Sequence, residues 1–327
     1  MDINEIARLA GVSRATVSRY LNDGYVSQEK RRLISKVIQE TGYVPSQSAQ
    51  QLRTGKTSLV GIIIPKINSE SVSRMIAGIT ESLLGSEYHT LLSNTNNDPN
   101  EEIRCLRAFA ERPRVDGVII LATVITPEHI KAMKALQVPI VILGQHLNGF
   151  SCVYHDDHRA TFDVTQIVLR RAKHPAFIGV REDDVAVGIN RHRGFIDACH
   201  AAGIEPTPEA QVVGDFSVES GYLCCEQIMD AAPETDAIVC ATDTISLGAR
   251  ACLREYGYVI PDDVQLAGIG DSEISRILTP SLTSAHLFYK TSGSEATKIL
   301  MQAMDTGDEI PRQLKMGYEV FVRNSTG

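Results

Sequence analysis

Near the start of the chain, "SRATVSRYLND" (residues 13–23) sets Arg14, Ala15, Ser18 and Arg19 on one face of a short helix, opposite Val17 and Leu21. A guanidinium can donate a forked pair of hydrogen bonds to guanine O6 and N7 in the major groove of a duplex. Hydroxyls at a helix start, here Ser13 and Thr16, suit phosphate oxygens. This is the chemistry of reading DNA. A plain alternative stays open on pattern alone: a three-helix bundle whose arginines are merely solvated.

Patterns that would make or break bonds are weak elsewhere. "GIG" at 268–270 lacks the further glycine and helix of a dinucleotide loop. There is no phosphate-binding P-loop or HExxH, and no Ser, His or Asp sits in a nucleophile-elbow context. Asp156 and Asp157 are adjacent; on a strand they would face opposite ways, a poor acid/base pair. The seven cysteines (105, 152, 199, 224, 225, 240, 252) form no CxxC and read as buried thiols of a reducing compartment, neither a disulfide framework nor a zinc site. No catalytic residue, metal or cofactor is expected.

The elements around the arginines follow from helical spacing. Ile3, Ile6, Ala7 and Ala10 make an amphipathic helix that Gly11 can end in a left-handed conformation. Ser13 can cap the next helix, with Val12 and Val17 as a hydrophobic staple. A third helix has Ser27 at its start, Leu33, Ile34, Val37 and Ile38 as its apolar stripe, and Gly42 and Pro45 beyond its end. Two short helices about a glycine turn, closed by a third, form a helix-turn-helix. Charge agrees: residues 1–58 carry a net +4 and the remainder a net −12, within a chain total of −8. A basic head on an acidic body fits a head that meets phosphate and a body that does not.

From residue 59 the pattern becomes strand–helix alternation. Strands are expected at 58–65, 89–94, 115–121, 138–144, 152–156, 175–180, 210–216, 237–241 and 264–270. Helices are expected near 70–85, 98–112, 127–136, 190–202, 218–231 and 243–256. Runs such as "VDGVIIL" suit strands covered on both faces, hence parallel sheets flanked by helices. The two series are of similar size, so two α/β lobes are expected, with a ligand trapped beyond the strands' carboxyl ends. The opening "MDINEIARLA" lacks the features of a secretory leader, and no run of apolar residues is long enough to span a membrane. A cytoplasmic protein is therefore expected.

"INEIARLAGVSRATVSRYLN" resembles the head of the LacI family of bacterial transcription repressors, and the resemblance extends along essentially the whole chain. It implies a helix-turn-helix head (1–45), a hinge (46–58) and an effector-binding, dimerising body (59–327) related to type I periplasmic sugar-binding proteins. Lobe 1 would hold about 59–158 plus 287–327, and lobe 2 about 159–286. By resemblance Arg14, Ala15 and Arg19 would read bases, Ser13, Thr16 and Ser18 would mostly position the backbone, and Asn22 would also contact DNA. Leu52 matches a hinge leucine that wedges into the minor groove; Gln50 stands where the family usually has Arg.

In the body, "NRHRGFIDAC" makes Arg191 the residue that would fork onto ligand hydroxyls. "VCATDTISLGA" supplies Asp243, with Thr242 in place of the usual Asn. Phe216, Tyr154 and Tyr289 hold aromatic positions, and Gln145 completes the expected effector set. The family commonly has an Asp where Gly270 stands here; Asp271 follows one place on and is also expected to contact the effector. This end resembles the sucrose-type members first and the trehalose-type second.

The reading is a repressor of a carbohydrate-utilisation operon that binds palindromic double-stranded operator DNA as a homodimer, with tetramers left open. A sugar or sugar-phosphate effector would control it. The alternatives are a sugar-binding protein with no regulatory role, and a regulator of non-sugar metabolism with a different small ligand.

Overall fold

The apolar spacing of the first forty residues closes a small core of its own. Helices α1 (Ile3–Leu9), α2 (Arg14–Tyr20) and α3 (Gln28–Thr41) bury Ile6, Val17 and Ile34 completely against one another. Asp2 caps α1 by accepting from the Glu5 N–H at 2.9 Å. Gly11 and Gly42 both take φ +62°, so the chain turns out of α1 and α3 at residues free of a side-chain penalty. Leu33, expected on the apolar stripe of α3, is instead 45% exposed. The computed structural model describes residues 1–43, 56–111, 114–307 and 310–327. The hinge readings at Gln50 and Leu52 lie outside these. The chain divides into two units, Met1–Thr57 and Ser58–Gly327.

The second unit contains two six-stranded sheets. In chain order its elements begin with β1 (Leu59–Ile64), α4 (Glu70–Leu83), β2 (His89–Asn94), α5 (Pro99–Glu111), β3 (Gly117–Leu121), α6 (Pro127–Lys134), β4 (Ile140–Leu143) and β5 (Ser151–His155). There follow α7 (Asp157–Val168), β6 (Pro175–Val180), α8 (Arg191–Ala201), β7 (Gln211–Gly214), α9 (Val218–Ala231), β8 (Ala237–Cys240), α10 (Asp243–Glu255) and β9 (Gln265–Ile269). The last are α11 (Glu273–Ile277), β10 (Thr283–Leu287), α12 (Tyr289–Thr306), β11 (Gln313–Met316) and β12 (Tyr318–Phe321).

The first sheet runs β11-β5-β4-β3-β1-β2 and is parallel throughout. The second runs β12-β10-β9-β8-β6-β7 and is parallel except at β12. Central strands are buried on both faces and feed two cores: in β1, Val60, Ile62 and Ile64 face one and Ile63 the other.

The lobe boundary needs one correction. Residues 287–327 were expected wholly in lobe 1. The chain does enter lobe 1 again at α12 and adds β11 beside β5, but then crosses a third time. β12 pairs antiparallel with β10, Ser284 opposite Phe321, so residues 318–327 belong to lobe 2. β11 and β12 are both four-residue edge strands that alternate half-buried and exposed. Such a pattern is the same on either sheet.

Two helices that carry cleft residues are locked by close approach. A Cβ on Gly78 of α4 would strike the Lys290 backbone, and one on Gly293 of α12 would strike that of Met75. Replacing Gly293 with Val should therefore force these helices apart and destabilise the fold by about 1–3 kcal/mol. Chemical denaturation of the full chain would measure this.

Candidate DNA-reading helix and ligand cleft

In the head, Ser13 caps α2: the Thr16 N–H donates to Ser13 Oγ at 3.2 Å, and the two hydroxyls lie 2.9 Å apart. Val17 pins the inner face, leaving Arg14, Ala15 and Arg19 exposed and Ser18 half-buried on the other. Asn22 Nδ2 donates to Ser18 Oγ at 3.4 Å, and Asn22 is exposed. Among the described residues neither Arg14 nor Arg19 is in an ion pair, whereas Arg31 lies over the Tyr20 ring at 5.3 Å. The structure thus presents two arginines, an alanine and short hydroxyls on one surface of one helix.

In the body, a cleft of about 380 Å³ lies between the carboxyl ends of the two sheets. Arg191 is its most constrained side chain. A one-turn π-helix (Val185–Asn190) leads into α8 and delivers Arg191 at the helix start, 3% exposed. Nε donates to Asp157 Oδ1 at 2.7 Å, Nη2 lies 2.6 Å from the same oxygen, and Nη1 donates to the Ala241 carbonyl at 2.6 Å. The Tyr289 hydroxyl lies close enough to the same guanidinium to interact with it. Burial works against the charge, but Asp157 outweighs it and holds the Arg191 pKa above its ordinary value.

Thr242 and Asp243 open α10. Thr242 caps it, accepting from the Ile245 N–H at 3.3 Å. Asp243 itself does not cap the helix. Its carboxylate accepts from Ser284 Oγ and from the Ser272 N–H, each at 2.6 Å, and burial pushes its pKa up. It still lines the cleft, as do Phe216, Gln145 and Tyr289.

Two expected residues are elsewhere. Tyr154 turns into the core behind the first sheet, its ring 5.0 Å from that of His146. Strand alternation puts its neighbour His155 in the cleft instead. The Asp271 carboxylate is fully buried and consumed by Arg276 (2.5 Å), Arg323 (2.5 Å) and His286 (2.9 Å). Burial raises its pKa, but these partners more than reverse the effect. Gly270 and Ser272 border the cleft on either side of it.

Several cleft residues were not expected. Asp157 is the partner of Arg191; it begins a helix, with Asp156 as the cap, so the strand argument about this pair does not apply. Its place at the end of "SCVYHDD", where a strand meets a helix, was the available signal. Arg74 reaches across from lobe 1 to the Gly270 carbonyl at 2.9 Å. Gln145 Nε2 also crosses, donating to Asp184 Oδ1 at 2.7 Å, where the Val187 N–H donates as well. Asp184 is 4% exposed, and burial raises its pKa to about 6. Among the described residues no cluster of His, Cys, Asp or Glu is arranged to hold a metal, no cysteine is in a disulfide, and no helix is long and apolar enough to cross a membrane.

A helix-turn-helix carried on one chain with a two-lobed ligand cleft is the architecture of a ligand-controlled DNA-binding regulator. Residues 2–46 match the model of bacterial regulatory proteins of the lacI family, and residues 164–326 match that of a periplasmic binding protein-like domain. The chain is 33% identical over 302 residues to the sucrose operon repressor of Staphylococcus xylosus, spanning 92% of this chain and 93% of that protein. The chain belongs to the LacI family, and it is a DNA-binding transcriptional regulator. A transcriptional regulator CelR–cellobiose complex superposes with TM-score 0.77 at 27% identity over 99% of both chains. The lac repressor dimer bound to operator and the anti-inducer ONPF shares the fold, with TM-score 0.89 at 22% identity over 100% of this chain and 99% of that one.

Replacing Arg14 or Arg19 with Ala should weaken binding to palindromic duplexes selected from a random pool by about tenfold or more, a loss within the range of a bidentate base contact. Fluorescence anisotropy at fixed salt would measure it; unchanged affinity would remove α2 from the reading surface.

Asp184 makes a second prediction. Its pKa in the fold lies above the ordinary 3.8, so its stabilising contribution is full below that value and is lost as pH rises through about 6. Asp184→Asn should therefore raise Tm near pH 8 and raise it less near pH 5. Between pH 8 and pH 5 the difference corresponds to about 1–1.5 kcal/mol. Equal shifts at both pH values would show that this carboxyl does not titrate there.

Proposed function

We propose that this chain represses a carbohydrate-utilisation operon and that a sugar held in the cleft controls it, sucrose-type first and trehalose-type second. The observation that carries this reading is the Arg191 arrangement: a guanidinium fixed by Asp157 and the Ala241 carbonyl, with further N–H groups, in a cleft that the half-buried Phe216 also lines. Sugar hydroxyls need fixed polar partners, and sugar C–H faces pack on rings. The named relatives of sucrose and cellobiose systems support the same class.

The proposed effector contacts are Arg191, Gln145, Phe216, Thr242, Asp243 and Tyr289. On the DNA side, Arg14, Ala15 and Arg19 read bases, while Ser13, Thr16, Ser18 and Asn22 position the backbone. We assign the cleft no catalytic step, because Asp157 and Asp243 are engaged by Arg191 and by Ser284 and Ser272 respectively. The working form is a cytoplasmic homodimer, two heads matching the two halves of a palindrome. Sugar binding changes the angle between lobes, and a coupling of about 1–3 kcal/mol to DNA binding suffices for a switch.

The test is a thermal-shift panel of sucrose, trehalose, cellobiose and their phosphates, followed by operator titration with each sugar that binds. A binding sugar should change operator affinity about fivefold or more. Arg191→Lys, which keeps a charge beside Asp157 but not the planar fork, should bind that sugar about tenfold or more weakly while remaining folded. Undiminished sugar binding by this variant would overturn the assignment of Arg191.

A further inference from the structure

His155 is the last residue of β5, just before the chain first crosses between lobes, and it lines the cleft. It is 5% exposed, and its Nε2 has no hydrogen-bond partner. The nearby Phe288 backbone favours a proton on the ring, and with Nε2 bare we assign that single proton to Nδ1. The ring also packs edge-on against Tyr289, with centroids 5.0 Å apart, so its orientation is set from the second crossing as well as from the first. A neutral imidazole whose one N–H is engaged offers its other nitrogen only as an acceptor.

We infer that His155 Nε2 accepts a hydrogen bond from a hydroxyl of the bound sugar and so selects sugars that carry a hydroxyl where the ring meets the pivot between lobes. This rests on the reading of the cleft as a sugar site.

The donor class follows from the surroundings. Burial, with Arg191 and Arg74 nearby, lowers the imidazole pKa to about 3, so at neutral pH it cannot donate from Nε2. The same two cations disfavour an ammonium donor. A phosphate dianion or a carboxylate has no proton to give. An uncharged O–H remains, and the sugar supplies it. Unlike the Arg191 contact, this one rewards a particular hydroxyl position and discriminates against its deoxy counterpart, because a buried acceptor left bare is costly.

The test uses the full-length chain labelled with nitrogen-15 histidine. His155 Nε2 should resonate as an unprotonated nitrogen between about pH 5 and pH 8. It should then shift as an accepting nitrogen does when whichever of sucrose, trehalose or cellobiose binds is added. His155→Phe keeps ring packing against Tyr289 but removes the acceptor, and should bind that sugar about tenfold more weakly. One monodeoxy derivative should lose a similar factor on the wild-type protein and lose nothing further on the variant. His155→Gln, whose amide oxygen can approach the Nε2 position, should recover part of the affinity.

A protonated Nε2 in the free protein overturns the inference even if His155→Phe fails to fold. So does a folded His155→Phe protein that binds the sugar and its deoxy series as the wild type does. In both cases the sugar-site reading stands. If no sugar in the panel binds, that reading fails and this inference falls with it.

Discussion

A buried guanidinium cannot be left unpaired, and this constraint organises the cleft. Arg191 and Asp157 are 3% exposed each, and removing either partner would strand a charge away from water. The pair joins parts of the chain far apart in sequence. Asp157 opens the helix after the first crossing, Arg191 follows a π-turn, the Ala241 carbonyl lies just past the end of β8, and Tyr289 begins the helix after the second crossing. The walls of the cleft are therefore held by the protein's own contacts. Preorganisation of this kind reduces the ordering cost of binding.

The contacts that bridge the lobes within the cleft are of another kind. Gln145 with Asp184 and Arg74 with the Gly270 carbonyl are polar and few. A hydrogen bond of this type contributes about 1 kcal/mol net. Each lobe is held by extensive apolar burial, whereas these bridges bias the cleft by only a few such increments. A ligand can shift an equilibrium only by its differential affinity for the two states, and here that requirement is small.

Sequence periodicity reaches most of this architecture because central parallel strands are apolar on both faces and helices carry a regular stripe. Both signals are local. The edge strands β11 and β12 escaped because four half-exposed residues do not say which sheet they join. In the cleft, family motifs led to Arg191, Thr242 and Asp243, since each sits in a distinctive run. They led to Tyr154 in place of His155 because a one-residue step along a strand reverses the face, and only the packing of Cys152 and Val153 on opposite sides reveals the parity. Asp271 looked available in sequence. Its three partners come from α11, β10 and the segment after β12, which no local pattern brings together. Asp184 and Arg74 went unnoticed for a similar reason: each acquires its role from a group in the opposite lobe.

The triple passage of the backbone between sheets has a mechanical corollary. A single tether would let two bodies swivel, shear and drift; three short ones at separate points suppress most of these freedoms and leave bending as the soft mode. A metabolite's modest binding energy is then directed into one motion instead of being dissipated among several. The final seam, where β12 lies antiparallel beside β10, contributes to this economy although it touches neither sugar nor DNA in any assignment made above.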